Sequence, residues 1–208
     1  MAADAGSLVN SALAEAAPAS VIIHPDQPTD TELAARVAHG EVAALELLFQ
    51  RHAQALQRFV MRSIPNIQNA EDVVQDVFVK IAECAGSFRG TSSFRTWMFT
   101  LALNLVRSQR RRSAVETHAT ERLQMDARHA LPSAQRNDPA AGAEQRELLA
   151  KVDRAIAGLA EPERETFLLY WFGELSYAEI REATGVSISA AKVRVHRAMA
   201  RLSRVLAG

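Results

Sequence analysis

The chain has 208 residues, enough for one large domain or two small ones, and its 48% apolar and 23% charged residues are ordinary for a folded globular protein. The single cysteine, Cys84, excludes an internal disulfide and a cysteine-based zinc site. No apolar run approaches the ~20 residues needed to span a bilayer, and the N-terminus carries Asp4 without a basic cluster, so neither membrane insertion nor a secretory signal is expected and a cytoplasmic location is.

Strand signals are nearly absent and a period near 3.6 dominates, which predicts an all-α protein. Residues 1–28 are Ala-rich, contain Pro18, Pro25 and Pro28, and lack an apolar face, so they are expected to form a disordered extension. Asp30 or Thr31 starts a short helix that Gly40 ends. A longer helix follows with Val42, Leu45, Phe49, Leu56 and Phe59 on one face, and Pro65 breaks it. The next helix is expected from Asn69, with Asp72 at its third position. Val73, Val77 and Ile81 form its apolar stripe, and Asp72, Gln75, Asp76, Val79 and Glu83 share another face. Cys84, near its end, is expected to be a small buried hydrophobe. After a loop from Phe88 to Ser93, a further helix turns Phe94, Trp97 or Met98, Leu101 and Leu105 inward and ends in an arginine run.

Residues 113–143 lose this pattern and contain Pro132, Pro139 and Gly142, the composition of a flexible linker. A second helical domain starts near Ala143 with the stripe Leu149, Val152, Ile156 and Leu159. Glu161-Pro162 opens a helix through Trp171 that Gly173 stops. Ser176-Tyr177-Ala178-Glu179 has the form of a capping box and starts a short helix. Gly185 turns the chain, and Ser187 caps a last helix with Ile188, Ala191, Val195, Ala198 and Leu202 on one face. No further domain is expected beyond it.

The balanced charge, 24 basic against 24 acidic residues, is unevenly distributed. Residues 1–50 hold seven acids against Arg36 alone, whereas residues 88–112 hold six arginines and residues 187–208 five basic residues, with no acid in either stretch. Two separate basic segments predict two anionic contacts, nucleic acid first. A short capped helix, a glycine turn and a longer basic helix form a helix-turn-helix. Its second helix presents Ser189, Lys192, Val193, His196 and Arg197 opposite the apolar stripe, in the manner of a helix that enters the major groove. Arg194, Arg201 and Arg204 are then expected to hold phosphates.

Leu175-Ser176-Tyr177-Ala178-Glu179-Ile180 and Lys192-Val193-Arg194-Val195-His196-Arg197-Ala198 resemble region four of the extracytoplasmic-function sigma factors. The resemblance implies that Ser187, Ser189, Lys192, Val193, Arg194, His196, Arg197 and Arg201 contact the minus-thirty-five promoter duplex. Val193, Ser189-Ala190 and Ala183-Thr184 depart from the family's usual residues.

Ala70-Glu71-Asp72-Val73-Val74-Gln75-Asp76-Val77-Phe78 resembles the family's region-two motif, which implies docking of Asp72, Gln75, Asp76 and Phe78 on the β′ clamp helices of core RNA polymerase. Ser87-Phe88-Arg89-Gly90-Thr91-Ser92-Ser93-Phe94-Arg95-Thr96-Trp97 resembles the family's loop and helix for the melted minus-ten strand. Capturing a melted strand needs an aromatic or apolar wall, hydrogen-bonding groups on a loop, and cations for the backbone. Arg89, Gly90, Thr91, Ser92 and Ser93 supply the loop groups and charge, and by the resemblance Lys80, Phe88 and Asn104 line the same site, with Trp97 and Arg107 beside them. Phe94 is expected in the core. Ala82 stands where relatives usually carry an aromatic residue.

The resemblance implies a region-two helical bundle over 29–112, a linker over 113–143 and a region-four helix-turn-helix over 144–208. The protein is expected to be a non-enzymatic subunit that needs no cofactor or metal. Its implied partners are core RNA polymerase, through the β′ clamp helices and the β flap, promoter DNA and an anti-sigma factor. A regulator with an N-terminal sensor domain accounts for the C-terminal helices but not for the acidic helix followed by the Gly/Ser/aromatic loop. A DNA-processing enzyme requires clustered carboxylates or a nucleophile with a base, and the six histidines are scattered without ligand spacing.

Overall fold

The computed structural model describes residues 27–64, 66–121 and 143–207, and all regular structure among them is helical. Residues 1–26 of the expected extension, Pro65, and residues 122–142 of the expected linker lie outside the described residues. The chain divides into two compact units, one ending beyond the fourth helix and the other containing the last four.

The first unit contains α1 (Asp30–Ala38), α2 (Val42–Ser63), α3 (Ile67–Cys84), a 3-10 turn (Ala85–Ser87) and α4 (Phe94–Glu121). Thr29 opens α1 with a reciprocal capping box: its side chain accepts from the Glu32 amide, and the Glu32 carboxylate accepts from the Thr29 amide at 2.7 Å. Leu33, Ala34 and Val37 are buried on one side of this short helix.

The buried face of α2 is Ala44, Leu48, His52, Ala55, Leu56, Phe59, Val60 and Ser63. This differs in phase from the expected face in the first half of the helix. Val42 is 76% exposed and Phe49 48% exposed. The cause is an i, i+4 ladder of Ala44, Leu48 and His52, with His52 drawn inward by Asp30. The His52 Nε2 lies 2.6 Å from Asp30 Oδ2, and Arg51 Nη1 lies 2.8 Å from Asp30 Oδ1. Arg51 also donates to the Pro28 carbonyl at 2.8 Å, which fastens Gln27 and Pro28 to the domain.

Ile64 ends α2 in an extended conformation, φ −117°, ψ 126°, as steric pressure from a following proline requires. Asn66, rather than Asn69, caps α3: its side chain accepts from the Asn69 amide at 3.2 Å, and the helix starts at Ile67. Val73, Val77 and Ile81 are buried as expected, together with Ala70 and Phe78, and Cys84 is half-buried.

On α4, Phe94, Met98, Phe99, Ala102, Leu103 and Val106 are buried, whereas Trp97, Leu101 and Leu105 are half-buried. The helix passes the arginine run and continues to Glu121, because no glycine or proline follows Phe94 before Pro132. Arg110 from that run turns back on the scaffold. Its Nε and Nη2 donate to the Ser63 carbonyl at 2.9 and 2.7 Å, satisfying an orphan acceptor at the end of α2.

The second unit contains α5 (Ala143–Ala157), α6 (Glu161–Trp171), α7 (Tyr177–Thr184) and α8 (Ile188–Ala207). Helix α8 packs against each of the other three. Its buried stripe is Ala191, Val195, Ala198 and Leu202, which meets a core that includes Val152, Ile156, Leu159, Phe167, Leu168 and Ile180. Leu149 is half-buried, and Ile188 is 36% exposed rather than part of the core. Ile188 is the first residue of α8. Ser176 and Glu179 form the expected capping box on α7. Gly185 closes α7 at φ +75°, a left-handed conformation that glycine adopts without a side-chain clash.

Burial raises the Asp30 pKa, but hydrogen bonds and charges from His52 and Arg51 outweigh it and hold the carboxyl below its ordinary value of 3.8. A carboxyl held low in the folded state contributes stability above its unfolded pKa and loses it as pH falls through the folded value. Asp30→Asn should therefore reduce thermal stability at neutral pH and flatten its decline below the ordinary aspartate range, a result readable in melting curves taken from neutral to acid pH.

Candidate nucleic-acid interface

Three groups of exposed side chains stand on these helices. The first is on α3. With Val73, Val77 and Ile81 turned inward, Asp72, Gln75 and Asp76 are exposed, and Val79 beside them is 54% exposed. Phe78, expected on this docking face, is only 7% exposed, and its ring lies 4.7 Å from that of Phe49. It supports the face from beneath, while the half-exposed Phe49, missed in the sequence reading, borders it.

The second group surrounds the loop between the 3-10 turn and α4. Phe88, Phe94 and Trp97 form one aromatic cluster, with ring centroids 5.3 to 5.8 Å apart. Phe94 is its buried root, and Phe88 and Trp97 are its half-buried rim. Arg89, Gly90 and Thr91 are exposed and Ser92 is half-buried. Gly90 has φ +68°, and a side chain there would be strained. Ser93 is exposed, but its hydroxyl accepts from the Thr96 amide at 3.1 Å and lies 2.8 Å from the Thr96 hydroxyl, so it caps α4. Asn104 is exposed further along the helix, and Arg107 is half-buried. Lys80 is exposed on α3. The Glu83 carboxylate, 2.6 Å away, accepts from it and raises its pKa.

The third group lies on α8. Ser187, Ser189, Lys192, Val193, His196 and Arg197 are exposed, and Arg194 is half-buried. The Ser187 hydroxyl accepts from the Ala190 amide at 3.2 Å, as a helix cap does. The Lys192 ammonium sits 5.8 Å from the centre of the Tyr177 ring, which stacks on Tyr170 at 5.0 Å. This aromatic support was not legible in the sequence, because Tyr170, Tyr177 and Lys192 come from three helices. Arg201 is exposed but reaches Glu163 on α6 at 3.7 Å.

These three groups coincide with two family models, Sigma-70 region 2 over residues 48–115 and Sigma-70, region 4 over residues 149–202. The ECF RNA polymerase sigma-E factor of Escherichia coli K12 is 32% identical over 178 residues, covering 83% of this chain and 92% of that protein. The chain belongs to the extracytoplasmic-function sigma factors. The RNA polymerase sigma-H factor of Pseudomonas aeruginosa is 29% identical over 185 residues, covering 86% and 95%. Among solved structures, CnrH in complex with the cytosolic domain of CnrY matches with TM-score 0.63 and 27% identity, covering 86% of this chain and 97% of that one. The sigma factor RpoE in complex with the anti-sigma factor NepR from Bartonella quintana matches with TM-score 0.62 and 26% identity, covering 78% and 96%. Sigma factors are non-enzymatic initiation factors that give RNA polymerase promoter-specific initiation, and this chain's family assigns it to that role. Among the described residues, no helix is long and apolar enough to cross a membrane.

The geometry separates scaffold from surface within one helix. Phe94→Ala should cost about 3–5 kcal/mol of stability, the usual range for removing a buried aromatic side chain. Asn104→Ala should stay within about 0.5 kcal/mol, as an exposed position does. Chemical denaturation of the two variants measures both.

Proposed function

We propose that this sigma factor binds core RNA polymerase through the α3 face, captures the melted minus-ten strand at the Phe88–Asn104 segment and reads minus-thirty-five duplex with α8. The observation that carries the reading is the aromatic rim of Phe88 and Trp97 beside an exposed, hydroxyl-bearing loop on a stretch that contains no acid. An unpaired base stacks on such a rim, and Arg89 and the arginines of α4 offset its backbone charge.

Asp72, Gln75 and Asp76 suit a basic coiled coil such as the β′ clamp helices. Phe78 contributes from within by fixing Phe49. The β flap is the corresponding partner for the region-four unit. On α8, Lys192 and Arg197 are the donors for guanine O6 and N7, and His196 and Val193 share their face. Arg194 serves phosphate. Arg201, held toward Glu163, contributes less than its sequence position implies. The protein acts where its DNA and polymerase are, in the cytoplasm. The solved relatives bound to CnrY and NepR support an anti-sigma factor as a further partner. This reading requires no cofactor, metal or catalytic group.

Reconstituted holoenzyme tests the first two assignments together. Asp76→Arg should lower affinity for core polymerase while leaving the melting temperature nearly unchanged. Asn104→Ala and Phe88→Ala should bind core normally and form open complexes slowly on duplex promoters. Normal core affinity in Asp76→Arg removes α3 from the interface, and normal opening in both other variants removes the loop.

For α8, selection of upstream sequences with variant holoenzymes is decisive. Lys192→Ala and Arg197→Ala should each relax preference at one or two base pairs, a loss of about 1–3 kcal/mol of discrimination. An unchanged sequence logo in both means that α8 positions the protein without reading bases.

A further inference from the structure

Beneath the aromatic rim lies a chain of contacts that reaches α1. His52 on α2 is 5% exposed, and its ring lies 5.4 Å from Phe94. Its Nε2 is 2.6 Å from the Asp30 carboxylate. An ionised carboxylate only accepts, so Nε2 carries the proton and donates. Its Nδ1 is buried without a hydrogen-bond partner, leaving Asp30 as the anchor that sets the angle of the ring. Asp30 is in turn held at 2.8 Å by Arg51. The adjacent residue, Thr31, lies beside the loop glycine: its Cγ2 is 3.8 Å from where a Gly90 side chain would begin. The first turn of α1 thus lies beside the loop at Thr31 and reaches the aromatic cluster through Asp30 and His52.

We propose that His52 is a positioning residue for base capture, holding Phe94, and through it Phe88 and Trp97, in the geometry that discriminates the melted base. The proposal rests on the assignment of the loop to the minus-ten strand. Its physical basis is that close packing transmits a displacement: a buried ring pinned on one edge by a charge-assisted hydrogen bond fixes the ring packed against it.

The test uses holoenzyme and single-stranded oligonucleotides carrying the minus-ten segment of a selected promoter or single-base substitutions of it. The measured quantity is the ratio of affinities between the selected and substituted strands. His52→Phe keeps an aromatic ring against Phe94 but cannot donate to Asp30. It should lower that ratio by about fivefold or more at the position where Phe88→Ala also lowers it. Simple destabilisation reduces the active fraction without changing the ratio, so a structural role alone gives a different result. If His52→Phe does not fold, Asp30→Asn, which weakens the anchor while keeping an acceptor, is read in the same way. An unchanged ratio in the folded variant, alongside a lowered ratio in Phe88→Ala, overturns the positioning role. An unchanged ratio in Phe88→Ala overturns the minus-ten assignment itself, and the proposal with it.

Discussion

A helix packed on a core commits one stripe of its surface to burial, and every other property it has must be carried by what remains. In α3 the stripe of Val73, Val77 and Ile81 leaves Asp72, Gln75 and Asp76 outward. In α8 the stripe of Ala191, Val195, Ala198 and Leu202 leaves Lys192, Val193, His196 and Arg197 outward. The surface chemistry is therefore set by the phase of burial, at 100° per residue, and a rotation of one residue would bury a charge and expose a hydrophobe. The small residues in the α8 stripe also matter. Ala191 and Ala198 are both fully buried, and small side chains there permit close packing of α8 on its neighbours.

Where phase was set by a run of apolar residues within one helix, the sequence was sufficient to read it, as in α3 and most of α8. Where a polar contact from another helix set it, reading failed. The apolar residues of α2 suggested a face through Val42 and Phe49, but the buried stripe runs through Ala44, Leu48 and His52, where His52 meets Asp30 of α1. The capping box on α7 was read from Ser176 and Glu179. The equivalent pair Thr29 and Glu32 caps α1, with Thr29 immediately before its first residue, Asp30, and without the apolar residues that follow Ser176 to mark it. Asn69 competed with Asn66 for the start of α3, and the residue three positions before a free amide won.

The candidate sites divide in the same way. Exposure of Asp72, Lys192 and Arg197 followed from periodicity, and that of Asn104 from the family resemblance. The partners that occupy Ser93, Lys80 and Arg201 did not, because helix caps and ion pairs are decided by distances of a few ångströms between side chains. Ser93 illustrates the cost of reading a loop by composition. Its hydroxyl looked like one of three available to DNA, yet it is engaged with Thr96 at the head of α4. The same limit explains why the Tyr170–Tyr177 stack under Lys192 emerged only from the fold.

The bond from Arg110 to the Ser63 carbonyl joins residues 47 positions apart. Most helix ends are finished by a neighbour in sequence, so they can be completed as soon as they leave the ribosome. The end of α2 has to wait for residue 110 to emerge, some seconds later at ordinary rates of synthesis of about 5–20 residues per second. Until then water can serve the carbonyl at its terminus. The arginine that completes the bundle lies inside the acid-free stretch of residues 88–112. The nascent chain therefore acquires its closing contact as four arginines, Arg107, Arg110, Arg111 and Arg112, emerge almost together.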